Sequence, residues 1–405
     1  MGTEGMLTFD EARGRILEGV VPLAPERVPL AEAAERVLAE DVRATEALPR
    51  FDHSAMDGYA LSTKDLSKDG PWRLPVRGVS SAGRAPQPLA PKTARRIFTG
   101  AAVPAGANSV VMQEHVALQG DEILLGSMPR EGQHIRRAGE DMAAGDVAIR
   151  RATRLTPGAL ALAAMLDRVE LLVARRPRVT ILCTGEELRA PGSERRPASI
   201  PESNGLALRA LARRAGADAH LAPITADGPD ETLVAVERSL RGTDVLLTVG
   251  GVSVGDHDVV RPALERAGVK LDFWRVAVKP GKPLAVGRRG DAYVLGLPGN
   301  PASALVTFAL FGMPLLRALQ GDAHPVGPSW RAALAKARKR SADRLELVRG
   351  TLHREGEALV VAAHDNQASG AATSLAASDG LAFVEPGEGI IDAGTAVEFV
   401  RWDDV

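Results

Sequence analysis

The chain has 405 residues, with 50 Lys+Arg against 51 Asp+Glu and a single cysteine, Cys183. Near-neutral charge argues against a nucleic-acid-wrapping surface, one cysteine excludes an intrachain disulfide and a Cys-rich metal cage, and 3% aromatic content argues against a stacking platform for single strands. The length suits about two to four domains.

The first residues, MGTEGMLTFDEARGRIL, carry acids where a secretory leader would be basic and then apolar, so a cytoplasmic protein is expected. Thr8 followed by Glu11 is a capping-box pattern that opens a first helix. Helical texture continues through Leu30 to Leu38, so residues 1–45 read as helical. From 46 to 141 short runs broken by Gly and Pro predict a β-rich domain. Residues 155–173 return to helix, with Pro157 in the first turn. The longest nearly apolar stretch read there, Leu155 to Leu166, is too short for a membrane span of about 20 residues.

From residue 177 strands and helices alternate. VTILCT (179–184), HLAPI (220–224), DVLLTVG (244–250), a segment near 271–278 and YVLGLP (293–298) read as strands. Helices are expected at 203–216, 229–242, near 257–267 and at 301–319. That alternation predicts a parallel sheet covered on both faces, with ligands at the carboxyl ends of its strands. From about 327 the texture is again β.

Four segments of this domain carry chemistry. TVGGVSVGDHD (248–258) ends a strand in paired glycines followed by Ser253, Asp256 and Asp258, which suits phosphate and Mg2+. VKPGKP (278–283) holds Lys279 and Lys282 on a proline-stiffened turn, a pattern for an oxyanion. GLPGNPASAL (296–305) places Asn300 and Pro301 at a helix start with Ser303 in the first turn. ILCTGEEL (181–188) offers Glu187 as a metal or hydroxyl ligand or as a solvated turn acid. Asp227 fits a helix cap or a ligand equally, and Cys183 reads as a buried apolar residue rather than a nucleophile. Outside this domain, FDHSAMDGYA (51–60) gathers Asp52, His53, Ser54 and Asp57, while Thr99 and Asp141 sit in later loops.

The motifs SAMDGYA, FTGAAVPAGANSVVMQE, GGVSVGDHD, KPGKP and GLPGNPAS, in this order, resemble the molybdopterin molybdenumtransferase family, to which the E domain of gephyrin is related. The resemblance implies a multidomain α/β plus β protein. Its parts would be an elongated helical dimerisation piece (1–45 with 142–174), an inserted β domain (46–141), a three-layer α/β domain similar to molybdopterin adenylyltransferase (175–326), and a C-terminal β-barrel domain (327–405). It further implies a homodimer with an inter-subunit site, and insertion of molybdenum from molybdate into adenylylated molybdopterin with release of AMP. Mg2+ or a similar divalent cation would assist. Asp57, Thr99, Asp141, Glu187, Asp227 and Asp258 match the family's catalytic positions, with Glu187, Asp227 and Asp258 as metal ligands. Gly251, Ser253, Arg275, Lys279, Lys282, Asn300, Ser303, Ser369 and Ser374 would contact substrate; Arg275 stands where relatives often carry Lys. Transient contact with molybdopterin adenylyltransferase or acceptor molybdoenzymes is implied, and neither membrane nor nucleic acid. A tungstate-specific paralogue and a non-catalytic scaffold are the alternatives.

Overall fold

The computed structural model describes residues 6–251 and 259–405, and of Trp274 only the backbone. The chain divides into two compact units, and the residues expected to form one helical part are shared between them. One comprises Met1–Glu40, Arg151–Thr156 and Glu170–Val405; the other comprises Asp41–Arg150 and Pro157–Val169.

The second unit is built on a six-stranded sheet. Gly58–Leu61 lies second from one edge, between the antiparallel edge strand Ser109–Met112 and the antiparallel Ala94–Ile97. Tyr59, Leu61, Leu74, Ile123 and Leu125 fill one side of the sheet. The same unit contains the helix Pro157–Met165, which begins on its proline as expected.

The first unit opens with the helix Phe9–Leu17. The Thr8 hydroxyl accepts from Glu11 N, and the Glu11 carboxylate accepts from Thr8 N, completing the capping box. Beyond it the helical expectation fails. Pro25–Pro29 is a strand, and it pairs antiparallel with Glu170–Ala174, a segment expected to continue the helix that begins at Pro157. The proline at each end of PERVP lacks a helical N–H donor, and a long-range partner decides the outcome. Leu30–Glu32 is a single 3-10 turn.

The α/β domain lies in this unit. Its elements are β1 (Arg178–Cys183), α1 (Asn204–Arg214), β2 (Asp218–Leu221), α2 (Pro229–Ser239), β3 (Val245–Val249), α3 (Val260–Arg266), β4 (Lys270–Arg275), β5 (Pro283–Arg289), β6 (Ala292–Leu297) and α4 (Pro301–Leu319). The sheet order is β2-β1-β3-β6-β5-β4. The first four strands in that order are parallel, while β5 runs antiparallel between β6 and β4, so the sheet is mixed rather than wholly parallel. Successive residues of a strand point to opposite faces. Ile181, Leu247 and Leu295 pack with Phe308, Phe311 and Leu315 of α4 on one face. Leu182, Leu246 and Val294 pack with Val236, Val260 and Leu264 on the other. Each such fully buried leucine or isoleucine contributes roughly 1.5–3 kcal/mol relative to exposure.

The helix α4 includes a π turn at Phe308–Gly312. At 19 residues it, and not the 155–166 stretch, is long and apolar enough to cross a membrane, but 83% of its apolar window is buried inside this unit. The C-terminal strands Trp330–Leu334, Leu345–Glu355, Ala358–Ala363, Gly380–Val384 and Ala396–Arg401 close into a five-stranded barrel through the Leu345–Glu355 and Gly380–Val384 ladder. Phe9 links the parts of this unit, lying edge-on to Phe311 of α4 at 5.2 Å and to Phe383 of the barrel at 5.5 Å.

Candidate functional site

Three parallel strands stop at the same level and leave a cavity of about 460 Å³ beyond their carboxyl ends. Thr184-Gly185 follows β1, Gly250-Gly251 follows β3, and Pro298-Gly299-Asn300 follows β6; the segment Ile200–Asn204 closes a fourth side. The glycines are required by space. Gly250 has φ +93°, and a Cβ there would stand 2.7 Å from the Thr184 carbonyl oxygen. At Gly251, with φ +60°, it would stand 2.4 Å from Val260 Cγ2. The chain thus keeps the floor open with residues that have no side chain.

Glu187 and Asp227 both line this cavity. Burial raises the Asp227 pKa above the usual carboxylate value, and the Glu187 and Glu186 carboxylates raise it further against a bond from the Glu186 backbone. Asp227 does not cap α2: the N-cap is Gly228, without a side-chain capping bond. Among the described residues no group of three His, Cys, Asp or Glu is placed to hold a metal. Asp258, the third expected ligand, and Ser253 lie outside the described residues.

The inner wall has a different chemistry. Thr184 is 4% exposed, and its Oγ1 is buried with no hydrogen-bond partner among the described residues. Glu202 is 7% exposed, and its Oε1 accepts from Gly205 N at 2.7 Å. Asn204 Nδ2 donates to the Gly299 carbonyl at 2.7 Å, leaving Oδ1 buried and unpartnered. Cys183 is a free, buried thiol; burial, with Glu202 beside it, pushes its pKa far up, consistent with a packing role. Sequence reasoning did not single out Thr184, Glu202 or Asn204. The available signal was the E-S-N triplet directly before an amphipathic helix, where a Glu three residues before a Gly can accept its N–H.

The other expected residues divide. Gly251 and Asn300 join the cavity wall. Asn300 sits at the N-cap of α4 but makes no capping bond, and Ser303 is buried within that helix at 4% exposure. Arg275 ends β4, its carbonyl accepting from Leu7 N. Of the K-P-G-K-P segment, Pro283 reaches the cavity wall whereas Lys279 and Lys282 do not form it. Lys279 Nζ instead pairs with Glu346 Oε1 at 2.9 Å, a barrel carboxylate that is 6% exposed. Ser369 meets the domain through its backbone, its carbonyl accepting from Ala302 N at 3.0 Å. Fully buried Arg349 sets that loop by donating to the carbonyls of Asn366, Ala368 and Ala371. Ser374 is buried, its hydroxyl donating to the Ala371 carbonyl at 3.3 Å.

In the second unit Asp57 and Thr99 come together. Asp57 Oδ1 accepts from Thr99 N at 2.7 Å and from Thr99 Oγ1 at 2.8 Å. These bonds, and then Arg96, hold the Asp57 carboxyl below its ordinary pKa. Asp52 accepts from Ala138 N and pairs with Arg137. Asp141 is exposed, its backbone N–H donating to the Leu48 carbonyl.

A three-layer α/β domain with an acid-rimmed cavity at its carboxyl ends, joined to a closed barrel and a separate β unit, defines a multidomain protein of the MoeA class. Three family models match in chain order. They are MoeA N-terminal region (domain I and II) over residues 7–166, Probable molybdopterin binding domain over 180–318, and MoeA C-terminal region (domain IV) over 331–402. The chain is 39% identical to Molybdopterin molybdenumtransferase of Haemophilus influenzae, over 85% of this chain and 86% of that relative. It is 36% identical to Molybdopterin molybdenumtransferase 2 of Mycobacterium tuberculosis, over 98% and 100%. The crystal structure of the molybdopterin biosynthesis MoeA protein from Pyrococcus horikoshii OT3 superposes with a TM-score of 0.84 at 27% identity, covering 98% of this chain and 100% of that one. The chain belongs to the molybdopterin molybdenumtransferase family and is a transferase enzyme.

Proposed function

We propose that the protein inserts molybdenum from molybdate into adenylylated molybdopterin, forming molybdenum cofactor and releasing AMP. The observation that carries this reading is the carboxylate-rimmed cavity, in which burial, and then the charges of Glu187 and Glu186, raise the Asp227 pKa. Crowded carboxylates bind a cation readily, because it removes the repulsion that burial has strengthened. The donor set is oxygen only and fits a hard divalent ion such as Mg2+, held by Glu187 and Asp227. When bound, that ion would neutralise charge on the phosphate of the departing AMP.

The chain's own groups do the remaining work. The glycine floor lets the substrate approach the backbone at the strand ends, and Asn300 faces the same space. Asp57, preorganised by two Thr99 donors, is an ionised carboxylate at physiological pH. In the homodimer implied by the motifs, Asp57, Thr99 and Asp141 of one copy would complete the cavity of the other. The deciding experiment mixes purified protein, adenylylated molybdopterin, Mg2+ and either molybdate or tungstate, and measures AMP and cofactor. AMP release with molybdate supports the reading, release with tungstate alone makes it a tungstate enzyme, and no release with either sinks it.

A further inference from the structure

The cavity has two chemically distinct ends. The rim carries Glu187 and Asp227, while the inner wall carries polar groups withdrawn from solvent and from one another. Thr184 Oγ1 is the sharpest case. It is buried, it has no partner among the described residues, and it lies 3.3 Å from where a Cβ on Gly250 would stand and 3.5 Å from the same point on Gly251. The space before the hydroxyl is therefore kept clear by two glycines in the left-handed region. The wall is continuous from there. Gly299 approaches the Gly250 Cα, its carbonyl accepts from Asn204 Nδ2, and Glu202 stands two residues before Asn204.

A buried polar atom without a partner costs the fold free energy, and a buried carboxylate held by neutral donors alone costs more. Gly205 N–H and the Cys183 thiol are neutral, and among the described residues Glu202 makes no ion pair. Such groups persist where a ligand supplies what they lack. The vacant chemistry is an acceptor at Asn204 Oδ1 and a hydroxyl at Thr184 that can donate or accept, with the Glu202 carboxylate beside them keeping lone pairs beyond the bonds from Gly205 N–H and the Cys183 thiol. A cavity of about 460 Å³ accommodates a ring system as well as a phosphate.

The geometry points to Thr184, Glu202 and Asn204 as specificity-determining residues that read the edge of an amino-substituted nitrogen heterocycle, with Glu202 and Asn204 accepting N–H bonds and Thr184 bonding a ring heteroatom or carbonyl. This rests on the proposed function for its substrate, which carries two such edges, the aminopyrimidine edge of the pterin and that of adenine. The shared chemistry is the same for both, and separate probes distinguish them.

The test uses full-length protein and two probes, pterin-6-carboxylate and AMP, with affinities measured by calorimetry or by pterin fluorescence. Glu202→Gln keeps the size and an acceptor for Gly205 N–H but replaces the other acceptor with a donor. It weakens one probe about 10- to 100-fold, the loss expected for one bond to a buried charged group. Loss for the carboxypterin assigns the pterin, and loss for AMP assigns adenine. Thr184→Val removes only the unpartnered hydroxyl. It raises Tm and yet weakens the same probe by about 3- to 10-fold, a combination that a purely structural role does not produce. If Glu202→Gln fails to fold, the valine variant decides alone. Unchanged affinity for both probes, within about twofold in whichever variants fold, overturns the inference. A wild-type protein that binds a probe through these residues but releases no AMP from adenylylated molybdopterin would sink the insertion reading and leave this one standing.

Discussion

Asp57 and Asp227 are the same side chain held in opposite electrostatic states. Asp57 receives two donors from Thr99 and has its pKa lowered. Asp227 sits partly buried beside two other carboxylates and has its pKa raised. The first is an anion already stabilised by its own unit. The second is an anion that the fold leaves under-compensated, which the proposed cation would offset. The contrast shows that acids equally visible in a sequence can serve as positioned charge or as an invitation to metal, and that neighbours decide which.

The strongest way to break this comparison is Asp227→Asn. Its expected effect is a fall in molybdate-dependent AMP release of about 100-fold or more, read in the AMP assay. Its stability effect has the opposite sign. A folded pKa above the unfolded one means that ionising Asp227 costs stability at pH above the unfolded value. The variant should therefore melt slightly higher than wild type near about pH 7 and equal to it near about pH 3. Added Mg2+ should raise the Tm of wild type but not of the variant. A metal-dependent Tm shift surviving in Asp227→Asn would show that the cation does not use this carboxylate.

Gly250→Ala tests the floor on which the Asp227 side depends. Left-handed φ and a Cβ 2.7 Å from the Thr184 oxygen should lower stability by about 1–3 kcal/mol and nearly abolish substrate binding. A variant with wild-type Tm would show that the loop relaxes at little cost. Lys279→Met separates anion binding from structure. It leaves Glu346 buried with, among the described residues, Arg338 as its remaining ion-pair partner at 3.6 Å, and should cost roughly 1–2 kcal/mol because the lysine itself is half exposed. If activity at low molybdate falls while Glu346→Gln keeps it, the lysine binds the oxyanion in addition to its ion pair.

The smallest effect is expected from Thr99→Val. It removes the hydroxyl bond and keeps the backbone bond, so Asp57 moves back toward its ordinary pKa. Because a lowered carboxylate pKa stabilises above the unfolded value, the Tm difference from wild type should appear at neutral pH and vanish as pH falls through the folded pKa. Activity should drop several-fold, roughly the net worth of one solvent-exposed hydrogen bond. A Tm difference independent of pH would mean that the hydroxyl does not act through Asp57.

Local signals were legible. The Thr8–Glu11 capping box, Pro157 and Pro301 at helix starts, and the glycine-terminated strands appear where their chemistry places them. Features with distant causes were not. Pro25–Pro29 and Glu170–Ala174 become strands because each finds the other across about 140 intervening residues, and propensity cannot report that. The antiparallel β5 escaped because it begins on the second proline of K-P-G-K-P, a segment whose lysines drew the reading away from the strand they lead into. In the site, charged residues stood out and the inner wall did not. Thr184, Glu202 and Asn204 gain their meaning from burial and missing partners, properties that exist only once the chain has folded.

The placement of Phe9 has a consequence for synthesis. Its ring is covered by Phe311 and Phe383, so the helix Phe9–Leu17 is sheltered in part by residues made long after it. The unit of Asp41–Arg150 and Pro157–Val169, by contrast, is complete as soon as the ribosome has released its own segments. Translation thus delivers the residues of that unit while the helix Phe9–Leu17 waits for its partners at 311 and 383. During that interval its apolar face is open to a wrong partner.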